Sequence, residues 1–293
     1  EKIGKLIGDI NDQKFFEKDM VELSKKNNIP INSITIKNIT DSLEQWAPLK
    51  FQAGYDNAGL VVGDSKTEVK GVVIALDSTE EVVEEAIHLG ANLIIAHHPI
   101  VFKGLKKFNG SNYVERTVIK AIKNNIAIYA CHTNLDAVMT GVNSKICDLL
   151  NVKNRSILNL KQGEDEVGAG MIGELAEPLD EMEFLKRVKK TFNTGAIKYT
   201  KLLNKPVKKV AVCGGSGSFL LNDAIRAKAD VFITSDFKYH EFFDADGQVV
   251  VADIGHFESE ICTQELIYDY LSEKFTTFVA CFSKVNTNPI NYL

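Results

Sequence analysis

No stretch of this 293-residue chain is apolar over anything like the roughly 20 residues that a membrane helix needs, so a spanning helix and a membrane partner are not expected. Basic charge is not in excess either. With 34 lysines and arginines against 39 aspartates and glutamates, the net charge of −5 argues against a general grip on phosphate backbones, and hence against nucleic acid as a partner. The five cysteines (Cys131, Cys147, Cys213, Cys262 and Cys281) lack CxxC spacing, and an odd, scattered set reads as core-filling thiols in a reducing compartment. The chain opens Glu1-Lys2-Ile3 without an apolar secretory core, so the expected location is cytoplasmic. What is present, 45% hydrophobic and 25% charged residues, is the balance of a globular protein. The length is about twice the commonest domain size, which suits two lobes sharing a site.

Residues 1–34 stand apart as an N-terminal appendage. Ile3, Leu6, Ile7 and Ile10, then Phe16, Met20 and Leu23, recur at helical spacing among charges until Asn27-Asn28-Ile29-Pro30. From residue 71 short Val- and Ile-rich runs alternate with helical patterns, the signature of βαβ units and a largely parallel sheet. Strands are expected near 71–76, 92–96 and 126–131, with helices over 79–90 and 113–124, the first opened by the capping string Asp77-Ser78-Thr79-Glu80-Glu81. A second series follows, with strands near 170–175, 208–213, 230–234 and 248–252 and helices near 181–192, 217–227 and 257–273.

The two series superpose. Ala86-Ile87 through Ala91-Asn92-Leu93-Ile94-Ile95-Ala96 matches Ala224-Ile225 through Ala229-Asp230-Val231-Phe232-Ile233-Thr234 at an offset of 138. The expected fold class is therefore α/β, with two related lobes of mostly parallel sheet and a site in the cleft between them. Lobe one runs over 35–155 and lobe two over 156–250, and a C-terminal segment over 251–293 completes the site.

Five of the six histidines fall at or just after expected strand ends, where open α/β sheets place their ligands; only His88 lies mid-helix. His97-His98 precedes Pro99, which favours an extended backbone, so the two adjacent imidazoles diverge and suit two ions better than one. Asp136 follows the neighbouring strand in Cys131-His132-Thr133-Asn134-Leu135-Asp136. His256 and Glu260, at i and i+4, share a face of the last helix. Together His97, His98, Asp136, His256 and Glu260 supply three nitrogens and two carboxylates, enough for two divalent ions if one carboxylate bridges. A mixed N/O set suits Zn, Mn, Fe, Co or Ni better than an all-oxygen Mg or Ca cage.

These residues sit in motifs that resemble the GTP cyclohydrolase 1 type 2 homologs, also called Nif-three-like proteins. The marks are Gly54-Tyr55-Asp56-Asn57-Ala58-Gly59-Leu60, His97-His98-Pro99, His132-Thr133-Asn134-Leu135-Asp136, Thr234-Ser235-Asp236-Phe237-Lys238-Tyr239-His240 and Gly255-His256-Phe257-Glu258-Ser259-Glu260, over about residues 35–293. The resemblance implies a two-lobed α/β protein with a dinuclear metal site in its cleft, assembled as a hexameric ring of identical subunits. It places the ligands on the same five residues, with Glu260 bridging, His98 and Asp136 on one ion, and His97 and His256 on the other. The small domain that some members insert between the lobes is absent here, and residues 1–34 have no counterpart.

Around this set, His132, Lys238 and His240 are the expected catalytic groups, for proton transfer or phosphate neutralisation. Gly214-Gly215-Ser216-Gly217-Ser218 is either an anion-binding turn or a tight βα turn; it lacks the lysine of a P-loop. Asp56 and Asn57 read as a structured turn near the cleft. The expected function is metal-dependent hydrolysis of a nucleotide-like small molecule by a metal-activated water. The alternative is a non-catalytic metal-handling or scaffold protein, with a transcription-related regulator as a third reading.

Overall fold

The structure, a computed structural model, describes residues 34–275 and 279–293. The helical reading of the N-terminal appendage lies outside the described residues. Among the described residues there are eleven strands: β1 (Gly59–Val62), β2 (Val72–Ala75), β3 (Leu93–Ala96), β4 (Ala127–Ala130), β5 (Val152–Leu160), β6 (Gly168–Leu179), β7 (Lys198–Tyr199), β8 (Val207–Ser216), β9 (Val231–Ser235), β10 (Val250–Asp253) and β11 (Ala280–Phe282). They form two sheets, ordered β1-β4-β3-β2-β11 and β5-β6-β8-β9-β10-β7.

In the first sheet β4, β3, β2 and β11 run parallel and β1 closes one edge antiparallel. Every residue of β2, β3 and β4 is buried, which is why these strands read as unbroken apolar runs. Helices Glu80–His88 and Tyr113–Lys123 cross over between them. The Thr79 side chain accepts from the Val82 N–H, and Glu80 and Glu81 complement the first turn. The cap is thus Thr79, which leaves Asp77 free for another task.

The second sheet repeats the parallel trio as β8, β9 and β10, so β3 and β9 are the middle strands of corresponding units. Its remaining strands are antiparallel: β5 and β6 form a hairpin and β7 returns along β10. The second lobe is therefore mixed rather than mostly parallel. Strand β5 escapes a search for apolar runs because most of its residues face solvent, leaving Val152 and Ile157 as its buried positions. The single helix expected over 257–273 is two, His256–Glu260 and Thr263–Lys274, and the one over 217–227 is a 3₁₀ turn, Ser218–Leu220, leading into helix Leu221–Arg226.

One apolar core runs through both lobes. It joins Ile74, Leu93, Ile95 and Tyr129 of the first sheet to Val210, Val212, Val231 and Ile233 of the second, through helices Ile36–Trp46 and Val142–Leu150. Two outer clusters pack the crossover helices on the far face of each sheet. This shared core fixes the lobes against each other, so the strand ends that face the cleft are positioned by packing rather than by loops.

Fully buried Phe184, on helix Glu181–Thr191, belongs to the shared core, whereas Ile122 is 57% exposed. Phe184→Ala is expected to cost about 3–5 kcal/mol in urea denaturation. Ile122→Ala should change stability by less than about 0.5 kcal/mol.

Candidate metal centre

The site is assembled from the carboxyl ends of the two parallel trios. Asp77 follows β2, His97 and His98 follow β3, and His132 and Asp136 follow β4. Gly215 lies at the end of β8, Asp236 follows β9, and His256 opens the short helix after β10. His98 and Asp236, equivalent by the offset of 138 in sequence, meet across the cleft through His256.

Glu260 is the centre of the arrangement and is 3% exposed. Its Oε2 lies 2.9 Å from His98 Nε2 and 3.0 Å from His256 Nε2, and its Oε1 lies 3.5 Å from His97 Nε2. The two cleft-facing nitrogens, His98 Nε2 and His256 Nε2, are 3.3 Å apart. Asp136 Oδ1 stands 3.7 Å from His97 Nε2. Candidate ligand atoms accordingly fall into His97–Asp136–Glu260 and His98–His256–Glu260, with a third cluster formed by His97, His98 and His132. By proximity His97 lies nearest Asp136 and His98 nearest His256, whereas the expected pairing sets His98 with Asp136 and His97 with His256. The His97 ring is fully buried and turns towards Asp136, while the His98 ring turns towards His256.

Each histidine is oriented by an oxygen on its far side. Nδ1 of His97 donates to the Cys131 carbonyl at 2.8 Å, and Nδ1 of His98, His256 and His132 donate to Asp77, Asp236 and Asp56, each at 2.7 Å. These oxygens are themselves held, Asp77 by the Thr287 hydroxyl at 2.6 Å, Asp236 by Ser216, and Asp56 by the Thr133 hydroxyl and backbone N–H. Fixing Nδ1–H this way leaves Nε2 as a lone pair pointed into the cleft, which is how metal-ligating imidazoles are commonly oriented.

Two atoms test whether a cation fits. His97 Nε2 and Asp136 Oδ1 are buried and lack any hydrogen-bond partner. Since the Cys131 carbonyl can only accept, His97 Nδ1 carries the proton and Nε2 cannot donate. A nitrogen lone pair facing a carboxylate oxygen is satisfied by a metal ion between them or by a proton on the carboxyl, and leaving each atom bare costs about 1–3 kcal/mol. The residues fit a metal ion.

Without a cation, protons carry the balance. Burial penalises the Glu260 charge, but His97, His256 and His98 outweigh it and hold the carboxyl well below the usual carboxylate range. Burial, reinforced by the Glu260 charge, pushes Asp136 well above that range. Burial also holds His97 below its ordinary value. Burial opposes charge on His98 and His256 too, yet their carboxylate partners lift them to about 9 and about 11. Burial likewise opposes charge on Asp56, but the bonds from His132 and Thr133 bring it down to about 2.

Of the residues expected from sequence, the structure brings His97, His98, His132, Asp136, His256 and Glu260 together. It does not bring Lys238 or His240: both are exposed on the 3₁₀ segment Tyr239–Ala245 or its cap, where His240 packs against Tyr239 and Phe243. Asp236, from the same loop, does join through His256. In the glycine-rich turn the Gly214 and Gly215 N–H groups are taken by Asn143 and Ser259, so these two amides do not serve an anion. Gly215 instead makes room, since a Cβ there would lie 2.3 Å from Glu260 Oε1. Asp77, which reads in sequence as part of a helix cap, and Thr287 are not among the expected site residues. For Asp77 a signal existed, because it follows β2 as the two histidines follow β3.

Ligands bind deprotonated, so metal uptake must expel protons from His98 and His256. Because both values are raised, zinc affinity of the stripped protein should keep rising with pH from 7 to 9, where ordinary histidines near 6.5 would have levelled off, and uptake should acidify a weakly buffered solution. Gly215 has φ +62°, so Gly215→Ala adds backbone strain and displaces Glu260. It should weaken metal binding by about tenfold or more in competition with a chelator.

The profile of the Duf34/NIF3 (NGG1p interacting factor 3) family matches residues 34–289. A Clostridium perfringens protein called GTP cyclohydrolase 1 type 2 homolog is 34% identical over 226 residues, covering 77% of this chain and 86% of that one. A Clostridium acetobutylicum protein of the same name is 35% identical over 230 residues, covering 78% and 86%. Among solved structures, a Staphylococcus aureus protein superposes with a TM-score of 0.82 at 28% identity, covering 89% of this chain and all of that one. A Bacillus cereus protein related to NIF3 gives 0.81 at 25% identity with the same coverage. A cleft of inward-facing imidazoles and carboxylates at the ends of two matched strand trios, in a chain so aligned, belongs to a member of the Duf34/NIF3 family.

Proposed function

We propose that this chain is a metal-dependent hydrolase with a dinuclear centre that acts on a nucleotide-like small molecule. The observation that carries the reading is the sharing of Glu260: one carboxylate oxygen faces His98 and His256 while the other faces His97 beside Asp136. One ion would be held by His97, Asp136 and Glu260, the other by His98, His256 and Glu260. Zn, Mn, Fe, Co and Ni all suit that donor set. When bound, such a pair supplies Lewis acidity and a water acidic enough to be deprotonated near neutral pH. The nucleotide-like substrate is supported by the name that the Clostridium relatives carry.

The chain's own contribution to proton transfer centres on His132. Its ring centroid is 5.2 Å from that of His97 and 5.3 Å from that of His98, and its Nδ1 is fixed by Asp56. Asp56 stays ionised and holds the imidazole in one tautomer, which leaves Nε2 to accept a proton from water or return it to a leaving group. Asp77 and Asp236 keep His98 and His256 in the orientation the ions require. A second reading, metal handling without turnover, is favoured by one observation: Lys238 and His240, the other expected proton-transfer groups, lie away from the cleft on the exposed 3₁₀ segment.

Metal analysis of protein purified without added metal should find about two ions per chain, and a nucleotide panel beginning with GTP should reveal turnover. Glu260→Gln, which removes the shared charge, should lose both. Full metal content and no turnover in the wild type would favour metal handling; turnover by a demetallated mutant would contradict the hydrolase reading.

A further inference from the structure

Two loops at the mouth of the cleft expose aromatic rings. Tyr55 is 68% exposed and Phe102 is 46% exposed, and their ring centroids lie 6.0 Å apart. Phe102 meets His132 edge-on at 6.3 Å, so the exposed pair continues directly from the imidazole cluster. Neither ring is an accident of a loose loop. Asp56, next to Tyr55, is tied to His132 and Thr133, and the Asn57 side chain donates to the Val101 carbonyl at 2.6 Å, which pins the first loop to the second. Anchored backbone carrying uncovered aromatic surface beside a functional group is an unusual use of apolar area.

The same loop carries positive charge. Lys103, Lys106 and Lys107 are exposed and form no ion pair among the described residues. No aspartate or glutamate occurs from residue 86 to residue 114, in a chain whose net charge is −5. The loop that carries Phe102 is thus basic and aromatic on an acidic protein, while the carboxylates nearest Tyr55, Asp56 and Asp136, belong to the site itself; a basic loop beside a cleft draws in anions.

We propose that Tyr55 and Phe102 form the wall on which a planar heteroaromatic ring stacks, and that Lys103, Lys106 and Lys107 receive phosphate groups of the same ligand. Together the two elements select a nucleoside phosphate over a free nucleoside or a bare phosphate. This specificity element deepens the reading of the cleft as a small-molecule site and rests on it. Neither the aromatic pair nor the three lysines belong to the metal ligands, so ring recognition and metal binding are separable.

The test is calorimetric titration of the full-length, metal-loaded protein with GTP, guanosine and pyrophosphate. GTP should bind most tightly. The double variant Tyr55→Ala/Phe102→Ala should weaken GTP and guanosine alike by about tenfold or more, while Tyr55→Phe, which keeps the ring, should not. The triple variant Lys103→Ala/Lys106→Ala/Lys107→Ala should weaken GTP by about tenfold, leave guanosine unchanged and flatten the salt dependence of GTP binding. Metal content should stay at the wild-type level in every variant. Absence of saturable GTP binding by the wild type, or equal binding by wild type and variants, would overturn the proposal. Tight GTP binding through these residues without turnover would uphold it and contradict the hydrolase reading alone.

Discussion

The cleft depends on a buried negative charge, the carboxylate of Glu260, which reaches from the short helix after β10 to His97 and His98 after β3. Removing a carboxylate from water costs several kcal/mol unless cations and hydrogen bonds compensate. Much of the surrounding architecture is that compensation. Three imidazoles face its two oxygens, Gly215 withholds a side chain from the space that Oε1 occupies, and Ser259 ties the helix that carries Glu260 to the end of β8 through the Gly215 N–H. The shared apolar core then holds the lobes at the spacing this contact requires.

A second layer extends the same logic outward. Each imidazole is held on its far nitrogen by an oxygen, and three of those oxygens are carboxylates that other elements hold in turn. The C-terminal segment takes part: Thr287 donates to Asp77, and the Asn288 side chain donates to Glu258 on the helix that bears Glu260. The tail that leaves β11 at the edge of the first sheet therefore touches both lobes near the cleft. Orientation of the site is distributed over residues 56–288, which explains why so compact a group draws on nearly the whole described chain.

Much of this was legible in the sequence. The parallel trios announced themselves as buried apolar runs, and the offset between Leu93 and Val231 exposed their equivalence. Polar residues directly after such runs, His97-His98 and His256, stood out because the carboxyl ends of parallel strands are where α/β proteins place ligands. Other features were hidden for physical reasons. Asp77 sits in a string of acidic and hydroxyl residues that reads as a helix cap, and only the structure shows Thr79 capping while Asp77 turns to His98. Gly215 looks like part of an anion-binding turn because sequence does not reveal that its N–H is already bonded. Strand β5 alternates too weakly to register, and which imidazole lies nearest which carboxylate depends on ring directions that spacing alone does not encode.

Sharing of Glu260 between two ions, as proposed, sets two metal positions beside one carboxylate. Anomalous diffraction from crystals of the metal-loaded protein, measured on both sides of the metal absorption edge, addresses it directly. The account predicts two peaks flanking the Glu260 carboxylate, one beside His97 and Asp136 and one beside His98 and His256. A single peak, or no anomalous density in the cleft, would contradict it; two peaks paired by His98 with Asp136 would keep the shared carboxylate and overturn only the pairing.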